Sequence, residues 1–246
     1  MPTEPEPDDR PDLPPGLAPA WGATPRPRRG PKPSHSLAQI VAAAVELADA
    51  DGLAAASLPN IAASLGLTTN ALYRYVGSKD ELLVLLADAG FGPPPPSPPG
   101  SDWRLATRDW TYAALDRYRA RPWLLDLPVR GSVVTPHRLR WTEQLLSALS
   151  GAGLSDVDAL GCALLVADFA RATADRLRAR ADPDSPDSAV RADDVRTFLR
   201  PLLADGGYPH LAALAARGEY PGAASVDFGL DRVLDGIAGL LTTSRT

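Results

Sequence analysis

With 246 residues, 45% of them hydrophobic, and a formal net charge of -5, the chain has room for a small domain and a larger second one, each with a real core. Its single cysteine, Cys162, excludes a disulfide framework or a cysteine-based zinc site within one chain and fits a reducing, cytoplasmic location. The longest apolar runs, Leu82 to Ala87 and Cys162 to Ala167, fall far short of the roughly 20 residues of a spanning helix, and the acidic, proline-rich start is not a signal peptide, so neither membrane insertion nor export is expected.

Residues 1–33 hold 11 of the 26 prolines, too many to sustain a helix or bury much apolar surface, and are expected to be a disordered tail. Within it the acids Glu4, Glu6, Asp8, Asp9 and Asp12 give way to a basic run, Arg26, Arg28, Arg29 and Lys32, just before the first regular element. Ser36-Leu37-Ala38-Gln39 has capping-box spacing, and Leu37, Ile40, Val41, Ala44, Val45 and Ala48 continue at helical period to Gly52.

The stretch from Ser57 to Lys79 then reads as a helix-turn-helix. Ser57 caps an apolar-periodic run (Leu58, Ile61, Ala62, Leu65) that ends at Gly66, where the turn needs positive φ. Thr68 or Thr69 caps a second helix, whose Ala71, Leu72 and Val76 face inward while Thr69, Asn70, Tyr73, Arg74 and Tyr75 face out. Hydroxyl, amide, phenol and guanidinium groups on one face are suited to base edges and phosphate oxygens, where a merely solvated helix carries Glu and Lys. Beside such a reader, the basic run before residue 34 is expected to serve as an arm on phosphates or in a minor groove, the plainer alternative being a solvated tail. Ser78-Lys79-Asp80-Glu81 opens the next helix with a second capping-box spacing and two acids in its first turn, leading into Leu82, Leu83, Leu85 and Leu86.

Phe91 to Gly100 is a polyproline stretch that stops this helix, and a stiff linker is expected over 91–101. Beyond it the pattern is helical over 102–121 (Trp103, Trp110, Ala114, Arg117, Tyr118), 136–149 (His137, Trp141, Leu145, Leu149) and 156–181, with shorter helices over 194–204 and 210–217. The first half of the 156–181 helix is apolar nearly all round (Val157, Leu160, Leu164, Val166, Phe169) and so requires burial on more than one side. A last helix over 225–241 carries Phe228, Leu230, Val233, Leu234, Ile237, Leu240 and Leu241 with Gly229, Gly236 and Gly239 between them, a weakness that close packing must offset. Two such helices per chain invite a four-helix bundle across a two-fold axis. No strand signal is found, so the fold class is all-α.

Catalytic chemistry finds no support. His35, His137 and His210 have no neighbour at ligand spacing, no serine sits in a nucleophile elbow, and the acid pairs lie in the tail or at helix starts. No cofactor or metal is expected.

LGLTTNALYRYVGSKDELL resembles the helix-turn-helix and following helix of the tetracycline-repressor (TetR) family, IVAAAVELADADGLAAASLPNIAASLGL resembles that family's first two helices, and VDFGLDRVLDGIAGLL resembles the last helix of its tetracycline-repressor-like C-terminal class. The resemblance implies an N-terminal three-helix DNA-binding domain over 34–90 with its connecting helix, and a helical ligand-binding and dimerisation domain over 102–246. It also implies a homodimer that represses a palindromic double-stranded DNA operator and is released by a small-molecule effector. The alternative is an interaction or enzyme module that borrowed the fold. The DNA-facing set is then Thr68, Thr69, Asn70, Tyr73, Arg74, Tyr75 and Lys79, with Arg28, Arg29 and Lys32 in the arm. Thr69 and Asn70 are the expected base readers, and Tyr73 and Lys79 the phosphate clamps. Pro59 departs from the family, which commonly places an Arg there. Trp110, Trp141, Leu145 and Phe169 are the expected ligand-pocket residues, and Val129 and Arg130 stand where a magnesium-tetracycline site would need a His.

Overall fold

The computed structural model describes residues 13–23, 34–97, 100–128, 134–181, 197–203, 206–217 and 226–243. Every regular element among them is helical. The chain forms two compact units, one built from residues up to Pro94 together with Arg121–Trp141, the other from Pro95–Ala120 and Thr142 onward.

Four helices of the first unit begin where a hydroxyl caps them. Helix α2 (Leu37–Asp51) starts at Ser36, whose Oγ accepts from the Gln39 N–H at 3.2 Å while Gln39 Oε1 accepts from the Ser36 N–H at 2.8 Å, a complete capping box. Ser57 opens α3 (Leu58–Ser64), with Pro59 in its first turn, where no intrahelical N–H bond is lost. The turn that follows carries Gly66 at φ +66°, and the Leu67 N–H reaches back to the Ala62 carbonyl at 2.8 Å. Thr68 Oγ1 accepts from the Ala71 N–H at 3.2 Å and starts α4 (Thr69–Leu72), and Ser78 Oγ accepts from the Glu81 N–H at 3.0 Å and starts α5 (Lys79–Phe91). Ile40 and Ala44 of α2, Ile61 of α3, Leu72 and Val76 around α4, and Leu82 and Leu86 of α5 are all essentially inaccessible to solvent and form this unit's core.

Two expectations are corrected here. The reader does not continue as an α-helix to Val76: after Leu72 the bonds tighten, with the Arg74 N–H on the Ala71 carbonyl (3.2 Å) and the Tyr75 N–H on the Leu72 carbonyl (2.9 Å), the i→i+3 pattern by which a helix end satisfies its last carbonyls. Nor is the whole of 1–33 an unstructured tail. Residues 17–20 form a short helix, α1 (Leu17–Ala20), packed on α5; Gly16, at φ +81°, lies so close that a Cβ would stand 2.8 Å from Val84 Cβ. Trp21 Nε1 donates to the Val134 carbonyl at 2.8 Å. Prolines do not prevent this, because Pro14 and Pro15 precede the helix and Pro19 sits in a first turn that donates no intrahelical bond.

The second unit is built on α6 (Trp103–Ala120) and α8 (Asp156–Ala181), with the later part of α7 (Pro136–Gly151), α9 (197–203), α10 (Pro209–Arg217) and α11 (Val226–Thr243). α6 and α8 pack against each other most extensively. Small residues allow it, since Ala159, Cys162, Ala163, Ala170 and Ala174 of α8 and Ala114 of α6 are buried. Thr107 and Thr111 of α6 are fully buried and satisfied within their own helix, donating to the carbonyls of Trp103 and Thr107 at 2.8 Å each. α11 packs on α8 where Gly229 lies under the Phe169 ring; a Cβ there would come within 2.8 Å of Phe169 Cε2.

Candidate nucleic-acid interface

Around α4 the inner and outer faces are sharply divided. Leu72 and Val76 are sealed in the core, whereas Thr68, Asn70, Tyr73 and Arg74 are exposed and Thr69 and Tyr75 half-buried. Tyr73 keeps 49% of its surface open, a large exposed aromatic anchored on a short, well-capped helix. The split of hydroxyl duties is also visible: Thr68 uses its Oγ1 to cap α4, which leaves Thr69 and Asn70 as the polar side chains of the first turn. Lys79 is exposed at the start of α5, four residues beyond Tyr75. Neither Arg74 nor Lys79 has an ion-pair partner among the described residues, so both cations are available to an external anion. The exposed groups of this short segment are therefore an amide, a hydroxyl, a phenol and two cations without an ion-pair partner among the described residues, the set that base edges and phosphates demand. Asn60, beside the expected gap left by Pro59, donates its Nδ2–H to the Ala55 carbonyl at 3.0 Å and is engaged within the fold. Arg28, Arg29 and Lys32 lie outside the described residues.

The expected ligand residues divide between the units. Trp110 of α6, Leu145 of α7 and Phe169 of α8 belong to the second unit, the first two buried and Phe169 half-buried over Gly229. Trp141 belongs to the first: its indole N–H donates to the Gly92 carbonyl at 2.9 Å, and its ring meets Phe91 edge-on with centroids 4.9 Å apart. Trp141 thus secures the end of α5 whatever else it does.

Sequence reasoning missed an ion ladder between α6 and α11. Arg104 pairs with Asp235, Arg108 with both Asp231 and Asp227, and Tyr112 Oη–H donates to Asp227 at 2.7 Å. The signal was present: Arg104, Arg108 and Tyr112 repeat every four residues, as do Asp227, Asp231 and Asp235. The bond to Asp227 is the main reason that the Tyr112 hydroxyl titrates above its usual range, and the Arg104 and Arg232 guanidiniums hold the Asp235 carboxyl below its own.

Among the described residues, one stretch of α8 keeps large apolar side chains open to solvent, and α11 shows two more, of which Phe228 carries the Arg232 guanidinium over its ring. Val157, Leu160, Leu164 and Leu165 of α8 are 82%, 44%, 49% and 52% exposed, and Phe228 and Leu240 of α11 are 58% and 42% exposed. Leu230, Leu234 and Ile237, by contrast, point into the chain's own core at 2% exposure or less.

The family model described as "Bacterial regulatory proteins, tetR family" matches residues 40–86, and that described as "Tetracyclin repressor-like, C-terminal domain" matches residues 95–241. The HTH-type transcriptional repressor DrrR1 of Streptomyces coeruleorubidus is 32% identical over 230 residues, spanning 92% of this chain and 85% of that protein. Apo ActR from Streptomyces coelicolor has the same fold, with a TM-score of 0.70 and 26% identity over 87% of this chain and 98% of its own. ActR in complex with (S)-DNPA gives a TM-score of 0.68 at 26% identity, over 86% of this chain and all 100% of that one. Matched from the helix-turn-helix to the last helix, the chain belongs to the tetracycline-repressor (TetR) family of bacterial regulatory proteins.

Proposed function

We propose that this regulator is a homodimeric repressor that reads a palindromic DNA operator through Thr69, Asn70 and Arg74, clamps phosphates with Tyr73 and Lys79, and leaves the operator when a small molecule binds the second unit. The observation that carries the DNA reading is the exposed, unpaired Arg74 and Lys79 flanking the Asn70–Tyr73 edge on a capped helix whose other face is sealed. DrrR1 is a repressor, which supports the sign of regulation. ActR is known both apo and with (S)-DNPA bound, which supports release by a small-molecule effector. There Trp110, Leu145 and Phe169 offer aromatic and apolar walls for an amphipathic ligand.

The homodimer is supported by α8, where Val157, Leu160, Leu164 and Leu165 stand open to solvent among the described residues. Gly161 and Gly236 have open space around them among the described residues, which leaves room for a partner helix to approach closely. The chain acts by binding rather than by catalysis, in the cytoplasm where its operator is. Selection from random-sequence DNA by gel shift tests the proposal: a regulator of this kind enriches a palindrome with half-sites about one or more helical turns apart. Enrichment of no sequence would leave a borrowed scaffold as the better reading.

A further inference from the structure

The segment that joins α6 to α7 is built into the reading unit, and two carboxylates of that unit hold its two ends. At the first end, one residue after α6 stops at Ala120, Arg121 Nε lies 3.0 and 3.1 Å from the two carboxylate oxygens of Asp49 on α2, and Arg121 also donates to the Gly90 carbonyl of α5 at 2.8 Å. Trp123 Nε1 donates to the same Asp49 at 2.7 Å, and its ring lies over Gly90 so closely that any Cβ at position 90 would overlap it. At the second end, the carboxylate of Asp88 on α5 accepts the His137 N–H at 3.0 Å and the Arg138 N–H at 3.3 Å, and so caps the first turn of α7 from another helix. Its other oxygen is 3.2 Å from His137 Nδ1, which is 3.0 Å from the Asp88 carbonyl. Helix α7 then runs on into the second unit.

We infer that Asp49 and Asp88 are the positioning residues that couple the effector state to the reading unit: Asp49 ties the exit of α6 to α2 and α5, and Asp88 ties the entrance of α7 to α5. The inference rests on the reading that a ligand in the second unit releases the operator. α6 and α7 are the two helices by which the chain leaves and re-enters that unit, so any shift in either is passed to residues whose partners sit on the helices around the reader. A helix cap suits this task because it holds backbone, not a mobile side-chain tip, and an acceptor lost from a buried N–H is costly. Asp88 keeps only 11% of its side chain exposed, and its bonds to α7 leave little freedom for α5 to move alone.

Coupling between two sites is reciprocal, so the protein's own operator serves as the probe without any effector being known. The experiment is hydrogen–deuterium exchange on the full-length wild type and on Asp49→Ala, Asp88→Ala and Arg121→Ala, each with and without the operator duplex obtained by selection. In the wild type, operator should protect the reading helices and also change exchange in α6 or in 142–151 by about five-fold or more, the low end of ordinary coupling. In the three variants the reading helices should still be protected, while the change in α6 and 142–151 disappears. Arg121→Ala opens the first joint from its other side, without removing either aspartate, and keeps the test valid if an aspartate variant does not fold. Asp88→Asn retains an oxygen for the α7 N–H groups and should restore the response. Variants that pass the change on at wild-type size would overturn the role of the two aspartates. A wild type that binds operator with no change at all in the second unit would overturn the ligand-release reading itself.

Discussion

Replacing Leu164 by Glu should split the dimer without unfolding the protomer. Full burial of a Leu is worth about 1.5–3 kcal/mol, and Leu164 is 49% exposed in the single chain, so its share of the interface is roughly half of that range, about 1 kcal/mol. Two-fold symmetry counts it twice, and two carboxylates placed against an apolar partner face add a desolvation penalty, so a loss of about 3–5 kcal/mol per dimer is expected. At 1.4 kcal/mol per tenfold, the dimer Kd should rise by about two to four orders of magnitude. Sedimentation equilibrium measures this directly. Operator affinity should fall with it, since two half-sites are no longer engaged together although neither reader is altered. Leu234→Glu makes the control: this side chain is fully buried in its own protomer, so the same charge should abolish folding instead of assembly. If Leu164→Glu sediments as a dimer with the wild-type Kd, the uncovered face of α8 is not the interface and the bundle has been assigned to the wrong side of the helix.

At the reader, Asn70→Ala should lose about 1–3 kcal/mol of discrimination at one base pair, whereas Lys79→Ala should weaken all sequences alike and lower the salt slope by about one; binding curves on matched and mismatched duplexes at several salt concentrations separate the two. Deleting residues 1–12 should leave the melting temperature unchanged, while deleting 1–23 should lower it, because α1 packs on α5 and Trp21 bonds to Val134; equal Tm values for the two truncations would show that the α1 contact adds nothing to stability. The α6–α11 ladder should weaken at both ends of the pH scale. Asp235 has a lowered carboxyl pKa, so its contribution is present above about pH 4 and is lost as pH falls below that. Tyr112 has a raised hydroxyl pKa, so its contribution is present below about pH 10 and is lost as pH rises beyond that. Thermal melts of Tyr112→Phe and Asp235→Asn across pH check both arms: each variant should flatten only its own.

What the sequence made legible is what local chemistry decides. Ser36 with Gln39, then Ser57 and Ser78, each announce a helix start within three residues and cap it, and of the two candidates Thr68 and Thr69 it is Thr68 that caps α4. The inward set Leu72 and Val76 and the outward set Asn70, Tyr73 and Arg74 follow from the same short period. Composition misled at 13–23, because proline content counts against a helix wherever it falls, whereas Pro14, Pro15 and Pro19 occupy the few positions around a helix start that tolerate it. On α11, periodicity marked Phe228, Leu234 and Ile237 alike as apolar. Which of them turns toward the protomer's own core is decided by α8, and Gly229 under Phe169 fixes the rotation.

The α6–α7 segment shows why a linear division of the chain loses the working parts. Arg121, Trp123, His137 and Trp141 follow a helix of the second unit by sequence, yet they bond to Asp49, Asp88, Gly90 and Gly92, more than 30 positions earlier. None of these pairs has a period or spacing by which it could be read. Each is explicable only once α2 and α5 are folded, because only then do their last turns present a carboxylate and a bare glycine side by side. A regulator needs such an arrangement, since a reading unit joined to its sensor by one flexible linker would receive no constraint from it, whereas one that holds the sensor's helices by their ends can be moved by them. The residues least visible to sequence patterning are thus those whose partners lie farthest back in the chain.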